Sequence, residues 1–254
     1  MKGERRHALI TGAGSGIGAA IARRLAEEGF AVTLAGRTAE RLRSVADTLP
    51  TAGCVVMDVA DESSIAAGHD EAVAGFGPVE VLVNNAGVAP TAPFEETDLA
   101  MLRRVMAVNL EGAFLLSQAV LPAMRAAGRG RIVNIASTAA LKPYRYTSAY
   151  VTAKHALLGL TRALALETAK DGITVNAVCP GFTRTELVER AIDGIVAKTG
   201  RAREEVLRRF TADNPQGRLI EPEEVAALVA WLVGGQTDAV TGQALVVAGG
   251  EVMG

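Results

Sequence analysis

A phenol and an ammonium group lie four residues apart in the middle of the chain. Tyr150 and Lys154 occur in the segment Ser148–Lys154, and Ser137 precedes them. Residues four apart share one face of a helix, so the cation is expected to stabilise the phenolate and lower the pKa of Tyr150 from about 10. If Ser137 holds an oxygen, this group predicts proton transfer in alcohol–carbonyl interconversion, provided that a hydride carrier binds nearby.

A glycine-rich segment near the N-terminus is expected to bind the phosphates of that carrier. His7–Ile10 is predicted as a buried strand and Ala19–Glu28 as a helix, with the sequence TGAGSGIG at 11–18 between them. Its glycine spacing is G-x-x-x-G-x-G rather than the common G-x-G-x-x-G. Glycines let the backbone approach phosphates, and a helix N-terminus attracts anions. Taken alone, the segment leaves a plain strand-to-helix connection open.

Composition and charge argue against several function classes. The 254 residues are 49% hydrophobic and 21% charged with a net charge of −2, which is typical of a globular protein and argues against nucleic-acid binding. Cys54 and Cys179 lie in apolar runs and are predicted as core residues. His7, His69 and His155 form no metal-like grouping, so no metal site is predicted. We find no apolar run of membrane-spanning length and no signal peptide, and therefore expect a cytoplasmic protein without a membrane partner.

Short β-rich runs alternate with helical stretches along the whole chain. This alternation predicts an α/β fold with a doubly wound parallel sheet and helices on both faces. Leu99–Ala127 is predicted as one long helix, bent near Pro122. Ligands in such sheets bind at the carboxyl ends of the strands, and a candidate motif follows each of the first six strands. These motifs are the glycine-rich segment, Gly36-Arg37, Asp58-Val59, the NNAG sequence at 84–87, Ser137 and Pro180-Gly181.

The chain shows no internal repeat and no linker. We therefore expect residues 1–254 to form a single domain. Residues 182–219 form the least regular segment, with helical pieces and an arginine-rich stretch between 201 and 209. An insertion beside the strand ends predicts a lid over a substrate.

Over its whole length the chain resembles the short-chain dehydrogenase/reductase family. The resemblance implies a single Rossmann-type domain with a seven-stranded parallel sheet, NAD(P)-dependent oxidoreductase activity and a homotetramer. The long helices that carry Asn109 and Tyr150 would form its dimer interface. The matching motifs, in order, are TGAGSGIG at 11–18, NNAG at 84–87, Asn109, Ser137, YVTAK at 150–154 and Pro180-Gly181.

The resemblance also implies a role for each matching residue. Tyr150 would be the general acid in reduction and the base in oxidation, and Lys154 would bind the nicotinamide ribose and lower the Tyr150 pKa. Ser137 would bind the substrate oxygen, and Asn109 would hold a water that links Lys154 to solvent. The implied cofactor-binding residues are Gly12, Ser15, Gly16, Ile17, Gly18, Arg37, Asp58, Val59, Asn85, Ala86, Gly87, Tyr150, Lys154, Pro180, Gly181 and Thr183.

Some of these residues also have purely structural explanations. Asn109 could satisfy backbone groups at a helix bend, Asp58 could form a turn, and Thr183 could cap a helix. A non-catalytic dinucleotide-binding sensor, or a lyase or epimerase, could use the same fold. The complete catalytic set favours an oxidoreductase, because a binding protein has no need of it.

The resemblance favours NADP(H) over NAD(H). NAD-preferring relatives place an acidic residue at the end of the second strand, where this chain has Gly36 followed by Arg37. A guanidinium would pair with the 2′-phosphate that an acid would repel. Many NADP-dependent relatives also carry a basic residue in the glycine turn, where this chain has Ser15. Arg37 could instead be solvated or stack on adenine.

We expect the substrate pocket to form from residues 138–147, the loop after Gly87 and the lid. Cations at Lys142, Arg145 and Arg184 could bind an anionic coenzyme A or carrier-protein group, or could form a solvated rim. The residues predicted to contact substrate are Thr138, Ala139, Tyr144, Phe182 and Leu187.

Two subgroups of the family look most similar. Ile132–Thr138 and Asn176–Phe182 are similar to polyketide ketoreductases and 3-oxoacyl thioester reductases. The lid beginning at Thr185 is similar to that of 3-hydroxybutyrate dehydrogenases, but Thr147 stands where those enzymes carry a basic residue for the carboxylate. We therefore expect a 3-oxoacyl or 3-hydroxyacyl thioester, or a related cyclic ketone. The alternative is an NAD-dependent dehydrogenase of a small hydroxy acid or alcohol.

Overall fold

Seven parallel strands form one sheet in the computed structural model, which describes residues 6–253. The strand order β3-β2-β1-β4-β5-β6-β7 reverses direction between β1 and β4. The predicted doubly wound α/β fold is therefore confirmed. The strands are β1 His7–Thr11, β2 Ala31–Gly36, β3 Ala52–Val56, β4 Val81–Asn84, β5 Gly130–Ile135, β6 Ile173–Pro180 and β7 Ala244–Val247.

Helices cover both faces of this sheet. Leu9 and Ile10 are consecutive in β1 and fully buried on opposite faces, which explains why the strands are continuous apolar runs. Ile21 and Val229 pack on one face, and Ile65 packs on the other. The helices are α1 Gly16–Glu27, α2 Ala39–Ala46, α3 Glu62–Phe76, α4 Leu99–Met106, α5 Gly112–Ala127, α6 Ser148–Thr168, α7 Glu186–Thr199, α8 Arg203–Phe210 and α9 Pro222–Val233.

The long helix that includes α4 and α5 is irregular at Asn109 rather than at Pro122. Ala107–Glu111 forms a π-helical turn, whereas Pro122 lies inside α5 without ending it. The Asn109 side-chain amide donates to the Val105 carbonyl (3.0 Å), which an α-helix would pair with the backbone N–H of Asn109. The sequence named backbone contacts of Asn109 at a helix bend as an alternative, but it did not predict the π-helical turn that accompanies them.

Leu99–Ala127 is also the one helix of the described residues that is long and apolar enough to cross a membrane, by length and composition alone. The expectation that no apolar run reaches this length needs this correction. Leu116, Val120 and Met124 of the helix pack into the apolar core against the sheet. Packing within the fold therefore accounts for these apolar residues.

A ladder of buried polar side chains joins the middle of the sheet to the helices. Asn84 at the end of β4 donates to Asn134 of β5 (2.9 Å), and Asn134 donates to the Thr161 hydroxyl of α6 (2.9 Å). Asn84, Asn134 and Thr161 are at most 5% exposed. Because buried polar groups are costly without partners, this ladder fixes the position of α6 on the sheet.

Asn134→Ala tests this ladder. The substitution leaves the Asn84 amide without its acceptor and the Thr161 hydroxyl without its donor. We therefore expect the free energy of unfolding to fall by about 1–3 kcal/mol. Urea denaturation with unchanged m-value would measure the loss. Gln236→Ala, at an exposed loop position, should stay within about 0.5 kcal/mol of the parent. An Asn134→Ala protein as stable as this control would contradict the ladder's role.

Candidate active site

The carboxyl ends of β1 and β4 are joined at the point where the strand order reverses. The Thr11 hydroxyl oxygen accepts hydrogen bonds from the backbone N–H groups of Asn85 and Ala86, both at 3.0 Å. The Asn85 side-chain amide donates to the carbonyls of Thr11 (2.9 Å) and Gly12 (3.3 Å). The first glycine turn and the NNAG segment are thus held together, although Thr11 was not among the predicted site residues.

The glycine-rich turn leaves no room for side chains at two positions. Gly12 has φ +65°, which favours glycine, and a Cβ there would lie 2.8 Å from the Asn85 amide. A Cβ on Gly18 would overlap the Gly12 carbonyl. The turn leads into the N-terminus of α1, where Ser15 is exposed and Ile17 is partly buried. This geometry and chemistry fit the pyrophosphate of a dinucleotide.

Tyr150 and Lys154 lie in the first turns of α6, beside Ser137 at the end of β5. Tyr150 is half-buried, and its hydroxyl is hydrogen-bonded to Ser137. Lys154 is 4% exposed, its Nζ donates to the Ile135 carbonyl at 2.8 Å, and it lies 5.7 Å from the centre of the Tyr150 ring. The structure therefore brings the three predicted residues together, with hydroxyl groups and an ammonium around one point.

Burial changes both pKa values in this group. It raises the pKa of Tyr150, and the hydrogen bond with Ser137 opposes this rise only in part. Burial lowers the pKa of Lys154 to about 8. The prediction that Lys154 lowers the pKa of Tyr150 was wrong for this structure, because the loss of solvent outweighs a cation that is directed at the Ile135 carbonyl.

Asn109 lies behind this group and contacts the loop after β4. Its side chain donates to the Val88 carbonyl (2.9 Å) and accepts from the Val88 N–H (3.3 Å). A Cβ on Gly87 would lie 2.8 Å from Asn109 Oδ1 and 3.7 Å from Lys154 Nζ. The structural alternative of backbone hydrogen bonding thus describes what the Asn109 side chain does, and Gly87 places no side chain where it approaches both Asn109 and Lys154.

Two other predicted cofactor residues make local contacts. Asp58 Oδ1 accepts from the Ala60 N–H at 3.0 Å, which is the turn-forming contact named as its alternative. Thr183 is buried and its hydroxyl donates to the Gly181 carbonyl at 3.0 Å, while Thr185 caps α7. The alternative that Thr183 caps a helix was therefore wrong. Val59 is 9% exposed, and Pro180 ends β6 with Gly181 next to it.

A cleft of about 350 Å³ opens beside the glycine turn, between α2 and the start of α7. Arg41 lines this cleft and pairs with Glu186 at 3.0 Å, so α2 is linked to the lid. Arg37 follows β2 and is exposed. The residues that line the cleft are Gly14, Ser15, Glu40, Arg41, Ser44 and Glu186.

Aromatic rings pack together in the predicted substrate region. Phe182 packs edge-on against Tyr144 and Phe210, with ring centres 6.1 Å and 5.1 Å apart. The Tyr144 hydroxyl is 2.6 Å from the Thr138 hydroxyl and also donates to Glu251. Of the remaining predicted contacts, Ala139 is 1% exposed and Leu187 is 63% exposed on the lid. Leu187 is thus open to solvent, whereas Ala139 is buried inside the fold.

Two of the predicted cations are engaged in ion pairs. Lys142 Nζ lies 2.9 Å from Asp213 and 3.0 Å from Glu251, and Arg184 pairs with Glu221 at 2.9 Å. Hydrogen bonds to both acids raise the pKa of Lys142 although partial burial opposes this. Glu251 was missed by the sequence analysis, since no motif marks it.

Neither cysteine is in a disulfide, as predicted, and Cys179 is fully buried beneath the site. Within residues 6–253, no cluster of three or more His, Cys, Asp or Glu side chains is arranged to hold a metal ion.

Residues 6–195 match the family model described as short chain dehydrogenase. The chain belongs to the short-chain dehydrogenase family. It is therefore an oxidoreductase that interconverts a secondary alcohol and a ketone with a nicotinamide dinucleotide, as predicted.

Three relatives of this short-chain dehydrogenase are similar over almost their whole length. A Streptomyces violaceoruber protein named as a ketoacyl reductase of the granaticin polyketide synthase is 44% identical, over 96% of this chain and 92% of its own. The cis-4-hydroxycyclohexanecarboxylate dehydrogenase of Sinomonas cyclohexanicum is also 44% identical, over 96% of each chain. A crystal structure of an actinorhodin polyketide ketoreductase variant with NADPH has a TM-score of 0.93 and 41% identity, over 97% of each chain.

A phenolate titration tests the direction of the Tyr150 pKa shift. A raised pKa keeps the phenol neutral up to and beyond its ordinary value of about 10. The near-ultraviolet absorbance of phenolate would be followed with pH in the parent and in Tyr150→Phe, without added cofactor. We expect the two titration curves to differ only above about pH 10. Tyr146→Phe, which removes an exposed phenol, is the control. A difference that develops between about pH 7 and 9 would show that the Lys154 cation dominates instead.

Proposed function

We propose that this short-chain dehydrogenase is an NADP(H)-favouring ketoreductase of a 3-oxoacyl thioester or a related cyclic ketone. The observation that carries the proposal is the Tyr150 phenol, hydrogen-bonded to Ser137 and backed by the buried Lys154 ammonium, at the carboxyl ends of the strands. A dinucleotide cradle lies at the same end of the sheet, because the glycine turn follows β1. A proton donor and a hydride carrier would thus act on one carbonyl.

The nicotinamide cofactor, when bound, supplies or accepts the hydride. Ser137 donates a hydrogen bond to the substrate oxygen and orients it, and Tyr150 delivers the proton to that oxygen in reduction or removes it in oxidation. The raised pKa of Tyr150 keeps the phenol protonated at neutral pH, which suits reduction. Lys154 holds positive charge 5.7 Å from the centre of the Tyr150 ring, and its ammonium is positioned by the Ile135 carbonyl at 2.8 Å.

Asn109 would complete the proton path. Its buried side chain shapes the π-helical turn and the loop after β4, so it keeps the space behind Lys154 polar. We propose that a water in this space reconnects Lys154 with solvent. The remaining implied cofactor contacts, including Asp58 and Val59 at adenine and Thr183 at the nicotinamide amide, belong to this proposal.

The preference for NADP(H) is supported by the end of β2. Gly36 leaves no carboxylate to oppose a phosphate, and Arg37 is exposed directly after it. Arg41 adds a second guanidinium beside Ser15, although its pairing with Glu186 partly neutralises it. A bidentate guanidinium–phosphate contact is stronger and more directional than a solvated charge.

Arg37→Ala should separate the two cofactors. Removal of a charge-assisted phosphate contact is expected to lower kcat/KM for NADPH by about 10–100-fold and to leave kcat/KM for NADH within about two-fold. Steady-state kinetics with both cofactors, together with NADPH fluorescence titration, measure this change. Arg43→Ala removes the same charge from α2 near Cys54 and serves as the control. Equal small effects of Arg37→Ala on both cofactors would exclude the 2′-phosphate role.

The substrate assignment is supported by the relatives and by the packed aromatic rings. Relatives named for polyketide ketoreduction share 41–44% identity with the chain. Tyr144, Phe182 and Phe210 offer ring edges and faces to an apolar or cyclic ketone. Because Lys142 and Arg184 are already in ion pairs, a coenzyme A or carrier-protein phosphate would have to compete for them.

One observation favours a second candidate. The relative named for cis-4-hydroxycyclohexanecarboxylate is as similar as the ketoacyl reductase, at 44% identity. A cyclic hydroxy acid would fit against the same aromatic rings and would run the reaction in the oxidative direction. Arg145 is exposed in residues 138–147 and could bind its carboxylate.

A substrate panel distinguishes these candidates. Acetoacetyl-CoA, cyclohexanone, 4-oxocyclohexanecarboxylate and 3-hydroxybutyrate would be assayed with NADPH, NADH or their oxidised forms. We expect the thioester or the uncharged cyclic ketone to give the highest kcat/KM with NADPH. Preference for 4-oxocyclohexanecarboxylate with NADH would support the second candidate. Tight cofactor binding without turnover of any substrate would reject the proposed ketoreductase.

Tyr150→Phe tests the chemistry of whichever substrate is turned over. Loss of the general acid should lower kcat by about 10²–10⁴-fold. NADPH affinity should stay close to that of the parent, because the phenyl ring remains. Tyr146→Phe, at an exposed position in the preceding loop, should keep nearly full activity. A Tyr150→Phe protein with near-normal kcat would refute the acid–base role.

We further propose a cytoplasmic homotetramer built from a single domain over residues 1–254. Phe114 on α5, Leu166 on α6 and Trp231 on α9 are 50%, 83% and 50% exposed, which supports association through these helices. The two free cysteines support a reducing compartment.

A further inference from the structure

A buried carboxylate close to the C-terminus contacts residues that form the predicted pocket. The Glu251 side chain is 3% exposed. It accepts a hydrogen bond from the Tyr144 hydroxyl, and its Oε1 lies 3.0 Å from Lys142 Nζ. Tyr144 is 107 residues away in sequence, so this contact exists only in the folded protein.

The contacts of Glu251 continue into the residues around it. Tyr144 shares a 2.6 Å hydrogen bond with Thr138, the residue after Ser137. Lys142 also lies 4.9 Å from the centre of the Tyr144 ring and 2.9 Å from Asp213 on the lid. Glu251 therefore contacts two of residues 138–147, and one of these, Lys142, contacts the lid.

The turn Ala248–Glu251 packs against two further parts of the site. The Glu251 N–H donates to the Ala248 carbonyl at 3.1 Å, which closes the turn. Gly249, at φ +61°, lies so close to Asn214 at the base of the lid that a Cβ would overlap its side chain. A Cβ on Gly181 would lie 2.9 Å from Glu251 Oε2. Glu251 is thus fixed in place by its own backbone as well as by its partners.

The Tyr144 hydroxyl is held by two partners as a result. Its oxygen is occupied by Thr138 and Glu251, while its ring packs edge-on with Phe182 at 6.1 Å. Burial and the Glu251 contact raise the pKa of Tyr144, so the phenol stays neutral and keeps donating. A buried carboxylate is stable only with such donors, so loss of Glu251 would release the ring and Lys142 together.

We propose that Glu251 is a positioning residue that determines how tightly the pocket binds its ketone. This role of Glu251 rests on the proposed function, because the pocket concerned is that of the ketoreductase. By binding the Tyr144 hydroxyl, Glu251 positions the Tyr144 ring as the surface that the substrate contacts. It also positions Lys142 to pair with Asp213 of the lid. It acts on substrate binding and leaves the dinucleotide cradle unchanged.

The experiment compares Glu251→Ala, Glu251→Gln, Tyr144→Phe and the Tyr144→Phe/Glu251→Ala double variant. Glu223→Gln, at an exposed position of α9, is the matched control. The readouts are kcat and KM for acetoacetyl-CoA or cyclohexanone, whichever the parent reduces faster, NADPH affinity by fluorescence, and hydrogen exchange of residues 138–147 and 211–217 without substrate.

We expect Glu251→Ala to raise KM about ten-fold with kcat and NADPH affinity within about two-fold, the pattern of lost substrate binding. Glu251→Gln keeps an acceptor for Tyr144 and should recover most of the loss. The double variant should be no worse than the more impaired single variant, because Tyr144 and Glu251 act as one unit. Exchange should accelerate in both segments and stay unchanged in β1 and α1.

Several results would overturn the proposal. Glu251→Ala could leave KM unchanged, or change it no more than Glu223→Gln does. The KM effects of the two single variants could add in the double variant, or Glu251→Ala could weaken NADPH affinity. If Glu251→Ala does not fold, Glu251→Gln and Tyr144→Phe carry the same test. If the parent reduces neither ketone, the proposed function fails separately, and unchanged exchange in both segments would then reject the role of Glu251.

Discussion

The contact between the ends of β1 and β4 is the constraint on which the site depends. The Thr11 hydroxyl accepts hydrogen bonds from two backbone N–H groups of the NNAG segment. The Asn85 side-chain amide donates in turn to the carbonyls of Thr11 and Gly12. These bonds satisfy backbone groups that would otherwise be exposed where the strand order reverses. They also bring the two segments so close that positions 12 and 18 accept only glycine. The crevice for a ligand therefore results from backbone packing, and the reactive side chains are added around it.

Burial sets the chemistry of the reactive side chains. It raises the pKa of Tyr150 and lowers that of Lys154 to about 8, so the order of the two ordinary values is reversed. Both groups are consequently protonated at neutral pH, and a protonated phenol is the form that donates to a ketone. An argument from the charge pair alone predicted the opposite shift for Tyr150. Desolvation is larger here, because the ammonium is directed at the Ile135 carbonyl and not at the phenol.

Sequence reasoning was most successful where a pattern repeats or a motif is contiguous. Alternating apolar strands and helices predicted the sheet, and local spacing predicted that Ser137, Tyr150 and Lys154 would meet. It failed to predict the π-helical turn at Asn109, although it had named backbone contacts of this side chain as an alternative. It also failed for Glu251, because the partner of this carboxylate lies 107 residues away and neither residue belongs to a motif. Such contacts depend on how loops pack, which periodicity does not encode.

The arginine-rich stretch of the lid is largely engaged in ion pairs. Three of its arginines pair within the lid: Arg203 with Glu189, and Arg201 and Arg209 with Glu205. Exposed pairs of this kind contribute little stability. The lid instead packs on a small apolar cluster of its own that includes Ile192 and is separate from the core on the sheet. Its base is closed by backbone hydrogen bonds between residues 182–184 and 220. Because this segment has its own apolar core and a narrow base, it packs as a unit distinct from the sheet, which is the property expected of a lid.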